Sequence, residues 1–356
     1  MQTIATAAPV SYLYTTGSQR HAIYHVRTRN VVGMVDGGVF LENARGVKRA
    51  VAAVGTFTDS LPTHGNVNGS MFTAFFDGSN QVAFWNESSL ATGVTTPTVR
   101  IPNGGMHHGA AVPMPSANWL LTSASNPAGG LPLGINVLTM NGAIVDSARN
   151  CPGLHGLAGN SNAVLFGCAD GALLVQNSGG RPVFSKLVAA GAPTFGVGTV
   201  WGWHDKPLLL VRSTVRGQPT SAATRKMGIA DPTARTLRLI DLPNGDIDVT
   251  GDLDDAGRNA VILGRSGTLY IVNGATQQVT GSLAAVTAVV PATGALSHQI
   301  AVAEGRVYIT NPTAGEIVEV DISGTPALVR RHQVGGQPIR VALLGVRSAA
   351  PVRAAN

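Results

Sequence analysis

The sequence predicts an all-β fold, a β-propeller of seven four-stranded blades. Three observations point to it. His-Gly pairs recur at His64-Gly65, His108-Gly109 and His155-Gly156, at steps of 44 and 47 residues, and about 40–50 residues is the length of one propeller blade. Between the pairs, short β-like segments alternate with Gly, Asn, Asp and Pro turn signals. The composition of 44 Gly, 20 Pro and 12% charged residues suits tight turns and short strands better than helices.

The units follow in chain order. An opening unit covers about residues 11–56. From His64 the segments read HGNVNG, MFTAFFDG, QVAFWN and PTVRIP. From His108 they read HGAAVPM, NWLLTSAS, INVLTMN and AIVDSAR, and from His155 HGLAGN, AVLFGCAD, GALLVQN and PVFSKLVA. A further unit spans 197–243, and two more open with IDVTGD and QIAVAEG. A unit this small cannot bury both its faces, so successive units must stack. The strand IRVALLG at 339–345 is left over. It either supplements one of the seven blades or belongs to an incomplete eighth, since a sheet edge left open invites mispairing. No composition break divides the chain, so residues 1–356 read as a single domain. A β-helix would need coils of about 20–25 residues, which do not fit.

Composition narrows the function classes. Apolar residues are 44% of the chain, enough for a sizeable core. The net charge is +6 and the pI about 9.7. The basic residues are scattered, as at Arg258, Arg265, Arg306 and Arg330-Arg331, with no run interleaved with aromatics. Nucleic-acid binding is not expected. The longest uncharged stretches, 187–204 and 282–300, are interrupted by Gly, Pro or Thr and read as strand–turn–strand, not as a membrane span. The opening MQTIATAAPV lacks a basic start and a long apolar run, so no signal peptide is read in this chain. Cys151 and Cys168 have no zinc-finger partners. On spacing alone they are either a disulfide or two buried thiols.

The His-Gly pairs carry the chemistry. Residues one blade apart occupy equivalent places around an axis, so His64, His108 and His155 are expected to converge as ligands of one Zn²⁺. Glycine after each histidine keeps the backbone slim where blades crowd. His107 precedes His108, and neighbouring side chains alternate along an extended chain. One of the two is expected as a ligand and the other as its support. The fourth position falls to water, to an aspartate among Asp246, Asp248 and Asp252, or to His298, which is near the same phase. His204 is also near that phase but lies beyond the innermost strand and is read as structural. Trp201 and Trp203 are expected to pack between blades. GDLDDAG at 251–257 lacks the spacing of a calcium loop. No dinucleotide fingerprint, serine elbow or acid–base pair accompanies the histidines, so the protein is not expected to be an enzyme.

The strings MHHGAAVP (106–113), CPGLHG (151–156), FGCADGALL (166–174), FFDG (75–78), VGMVDGGVFLE (32–42) and IAVAEGRVYITNP (300–312) resemble the AztD family of periplasmic zinc metallochaperones. The resemblance runs from about residue 12 to 345. It implies a β-propeller in an oxidising compartment, periplasmic or secreted, with a Cys151–Cys168 disulfide. It implies metal ligation by His64, His107, His108 and His155, a monomer, and delivery of Zn²⁺ to the zinc-binding protein of an ABC importer. Four departures stand out. The stretch ENARGVKRA at 42–50 replaces a loop rich in His and Asp. Asn68 stands where the family has a second histidine. The segment before 300 keeps only His298, and the N-terminal strands of a closing blade are missing. The alternative these departures favour is a non-catalytic interaction module that has lost zinc transfer.

Overall fold

A computed structural model describes residues 12–25, 30–41, 62–69, 71–78, 81–86, 99–102, 107–192, 194–289, 298–333 and 340–344. The described residues are built from β-strands with two short 3₁₀ turns, and the fold class is the all-β propeller predicted from the sequence. The chain gathers into two compact units, one of residues 56–248 with 273–278, the other of 1–55, 249–272 and 279–356.

The first of these units holds four antiparallel four-stranded sheets, each made from one consecutive stretch of chain. Their opening strands are Pro62–Asn68, Ala111–Met114, Leu157–Gly159 and Phe195–Trp201. Two of the second strands are buried on both faces. Trp119–Ala124 and Ala163–Cys168 have every residue buried, which is why WLLTSA and AVLFGC read as continuous apolar runs rather than alternating ones. Away from them burial falls, and the strand Ile144–Ala148 is exposed at its first four residues. The opening strands of the first three sheets lie against one another. Side chains stitch them. Asn68 donates from Nδ2 to the Pro113 carbonyl at 2.9 Å and to that of Asn160 at 3.2 Å. Asn66 Nδ2 and Thr73 Oγ1 both donate to the Ala111 carbonyl.

The other unit carries the sheets that follow Asp248 and Ile300. Its core is aliphatic, with Val261, Leu263, Val307, Ile309 and Val318 fully buried. The strand left over in the sequence is placed here. Arg340–Leu344 pairs in parallel with Tyr12–His25, which pairs antiparallel with Asn30–Leu41. Of the two expected roles for this strand, the structure realises the supplement to the opening sheet. Among the described residues that sheet has three strands, beside six sheets of four.

Candidate metal centre

His64 lies in the strand Pro62–Asn68, paired opposite Phe75. His108 and His155 lie in the turns just before the strands Ala111–Met114 and Leu157–Gly159. Three equivalent positions on three consecutive sheets thus meet where the opening strands converge. Backbone crowding there is real. A Cβ on Gly156 would sit 2.6 Å from the Gly198 carbonyl oxygen, and one on Gly109 would meet Phe75 and Ser123 within 2.5 Å. Only glycine fits after these two histidines.

The imidazoles face one another. His64 Nε2 is 3.0 Å from His108 Nε2, which is 3.4 Å from His155 Nε2, and one ligand nitrogen from each ring falls within 4.8 Å of the others. A tetrahedral ion bound by nitrogen at about 2.0–2.1 Å sets its ligands about 3.3–3.4 Å apart. The His108–His155 spacing matches that value, and the His64–His108 spacing is slightly shorter. The other ring nitrogens fix the tautomers. His108 Nδ1 lies 2.7 Å from Asp77 Oδ2, so it carries the proton and donates to the carboxylate. His155 Nδ1 lies 3.1 Å from the Gly198 carbonyl and must also be the donor. In the neutral rings both Nε2 atoms therefore present lone pairs, directed at each other across 3.4 Å. Two facing acceptors repel, and a cation between them removes the conflict. The donor set fits a divalent ion of zinc's preferences, and the carboxylate–histidine arrangement is the usual support of such a ligand.

The three rings differ in exposure: His155 is exposed, His108 is 38% exposed and His64 is more deeply set. Burial, then the neighbouring charges of His108 and His155, push the His64 pKa down to about 4, against the opposing pull of Asp77. A histidine with a lowered folded-state pKa binds fewer protons than its unfolded counterpart between pH 4 and 6.5. Stability of the metal-free protein should therefore rise with pH across that window, by no more than about 3 kcal/mol before solvent screening. Urea unfolding at pH 4.5 and 7 in the presence of a chelator measures this, and His64→Gln should flatten the slope.

The other expected site residues fall elsewhere. His107 points away from the cluster: its Nε2 is 3.0 Å from Ser123 Oγ, and its ring stands edge-on to Phe75. Of the four expected histidines, His64, His108 and His155 bring ring nitrogens within 4.8 Å of one another, and His107 is not in that group. Asp248, expected as a possible oxygen donor, is engaged by Arg212 at 2.6 Å and Arg225 at 3.0 Å. Asp252 accepts from the backbone of Leu253 and Val302. His298 is buried in the other unit, and its Nδ1 has no hydrogen-bond partner among the described residues. His204 is structural, as expected, with Nδ1 2.8 Å from Asn68 Oδ1. Trp203, expected between sheets, is instead 48% exposed with the Lys206 ammonium over its ring. The stretch 42–50 lies outside the described residues.

Asp77 is the site residue that sequence reasoning did not find. Its signal was the FFDG string, whose aspartate follows the strand Met71–Phe76 that pairs with the His64 strand. Removing its charge in Asp77→Asn should weaken zinc binding about 10–100-fold while leaving the fold intact. Competition with a zinc-chelating dye checks it.

The disulfide is present. Cys151 and Cys168 are joined, both fully buried in the core that also takes Leu154 and Phe166. No helix among the described residues is long and apolar enough to cross a membrane.

Comparison with known proteins agrees with the resemblance read from the sequence. No family model matches the chain. It is 26% identical over 298 residues to the zinc chaperone AztD of Citrobacter koseri, an alignment covering 81% of this chain and 66% of that relative, just under two thirds. Among solved structures, it superposes on crystalline Citrobacter koseri AztD with a TM-score of 0.69 at 23% identity, over 88% of this chain and 81% of the other. Apo AztD of the same organism gives 0.69 at 25% identity, over 81% and 77%. The chain is thus similar to AztD zinc chaperones in both sequence and fold.

Proposed function

We propose that this protein is an extracytoplasmic zinc metallochaperone, holding one Zn²⁺ through His64, His108 and His155 and passing it to the periplasmic zinc-binding protein of an importer. The carrying observation is the convergence of three ring nitrogens, with His108 Nε2 3.0 Å from His64 Nε2 and 3.4 Å from His155 Nε2. Similarity to the AztD zinc chaperones supports the same reading.

Three neutral imidazoles bind zinc firmly and leave one coordination position to an outside ligand. The exposure gradient gives transfer a direction. His64 is the anchor, His108 is held by Asp77, and His155 is the exposed arm. A donor group from the acceptor protein takes the open position, His155 lets go first, and the remaining ligands are exchanged in turn. No bond in the cargo's surroundings is made or broken beyond coordination, so the role is non-catalytic. The stretch 42–50, which has no histidine, supplies no imidazole relay, so exchange must occur at the centre itself.

Two measurements test this. Equilibrium dialysis should find one tight zinc per chain. When zinc-loaded protein is mixed with the metal-free acceptor, the transfer rate should rise with acceptor concentration. A rate fixed at the spontaneous release rate would remove the handover. A chain that takes up no zinc would remove the whole reading and leave the interaction module.

A further inference from the structure

We propose that the Cys151–Cys168 disulfide and the three-histidine centre are energetically coupled, so that the oxidised chain holds zinc more tightly and bound zinc protects the disulfide from reduction. This rests on zinc binding at the centre as proposed above.

The coupling is visible in the chain path. Cys151 stands four residues before His155, and Cys168 directly follows Gly167. Gly167 is the backbone partner of the ligand segment: its carbonyl accepts from the His155 N–H at 3.2 Å, and its N–H donates to the Gly156 carbonyl at 2.7 Å. The next residue, Ala169, donates to the Pro152 carbonyl at 2.7 Å. The disulfide therefore clasps the two strips of backbone whose mutual hydrogen bonds set the height of His155. Between the cysteine and the ligand, Leu154 is fully buried and donates to the Pro132 carbonyl. The turn is pinned on both sides, and the ring Nδ1 donates to the Gly198 carbonyl.

Both sulfurs are fully buried. A reductant reaches them only when this turn opens, a local unfolding with its own free energy. Opening carries His155 away from His64 and His108. Zinc bound by all three rings opposes the opening, and by linkage the disulfide that opposes the opening must favour zinc. Because the two effects are reciprocal, each is a check on the other.

A water-soluble trialkylphosphine provides the first test on the unaltered protein. The phosphorus is oxidised to the phosphine oxide, taking its oxygen from water. The disulfide gains two electrons and the two protons of that water to give two thiols. Thiols are counted by alkylation and mass spectrometry over time, with and without zinc held a hundredfold above its dissociation constant. Full coupling slows reduction by about a hundredfold. A slowing of threefold or more supports the proposal, and a smaller one overturns it. The second test compares zinc affinity in wild type and in the double variant Cys151→Ala/Cys168→Ala, which has no thiol to act as a substitute ligand. The expected loss is about tenfold or more, in the range seen when the supports of a metal ligand are removed. Equal affinity in a folded double variant overturns the coupling. Failure of the oxidised wild type to bind zinc sinks the zinc reading itself, a distinct outcome. If the double variant does not fold, the phosphine experiment alone decides.

Discussion

His108→Ala should lower zinc affinity by well over the roughly 10–100-fold lost when only a ligand's outer support is removed. It is the middle ring of the three, with its Nε2 within 3.4 Å of both neighbours. Removing it leaves His64 and His155 without the ring that bridges them. It also strands Asp77, whose Oδ2 loses its donor 2.7 Å away. Two imidazoles without that bridge hold zinc no better than a chance surface pair. His107→Ala is the informative comparison. It breaks a contact to Ser123 and a ring contact to Phe75, so it should cost stability and spare most of the affinity. Competition against a chelator of known strength, with both variants checked for native circular dichroism, separates the two histidines. Equal losses would contradict the ligand assignment.

Asp248→Ala should destabilise the protein by about 3–5 kcal/mol, the usual cost of leaving a buried cation without its partner. Burial alone would raise the Asp248 pKa. The Arg212 charge and the Arg225 hydrogen bonds outweigh burial and hold the carboxyl below its ordinary range. Its side chain is 1% exposed, and those of Arg212 and Arg225 are about a fifth exposed. Arg212 also lies over the Trp201 ring at 5.2 Å. Truncation removes the carboxylate that both guanidinium groups share. Asp248→Asn keeps the acceptor oxygen and should lose less. Urea denaturation gives the difference, and zinc affinity measured well below the unfolding midpoint should be unchanged in either variant.

The three-histidine group was legible in the sequence because its geometry repeats. A histidine followed by glycine at one-blade intervals is a statement about equivalent positions, and equivalent positions meet where the sheets converge. The same logic could not separate His107 from His108, since neighbours share a phase and only the direction of each Cβ tells them apart. Asp77 escaped because its partner is 31 residues away and its aspartate sits in an ordinary Asp-Gly turn. Asn68 was visible only as a missing histidine, yet it donates to the backbone carbonyls of Pro113 and Asn160 and accepts from the His204 ring. Asp248 looked like a ligand candidate because it falls in the register left open between His204 and His298. Its true partners are arginines 23 and 36 residues earlier, a pairing that no local pattern announces. The strand units were legible from turn residues and apolar runs. The destination of the last strand was not, because parallel pairing with Tyr12–His25 spans nearly the whole chain.

That pairing sets a timetable for synthesis. His21 meets Arg340, so the opening hairpin leaves the ribosome with one flank bare and stays so until some three hundred further residues have been translated. At about 5–20 residues per second the wait is about 15–60 s. Through that interval the nascent hairpin offers a free β-edge to any passing chain.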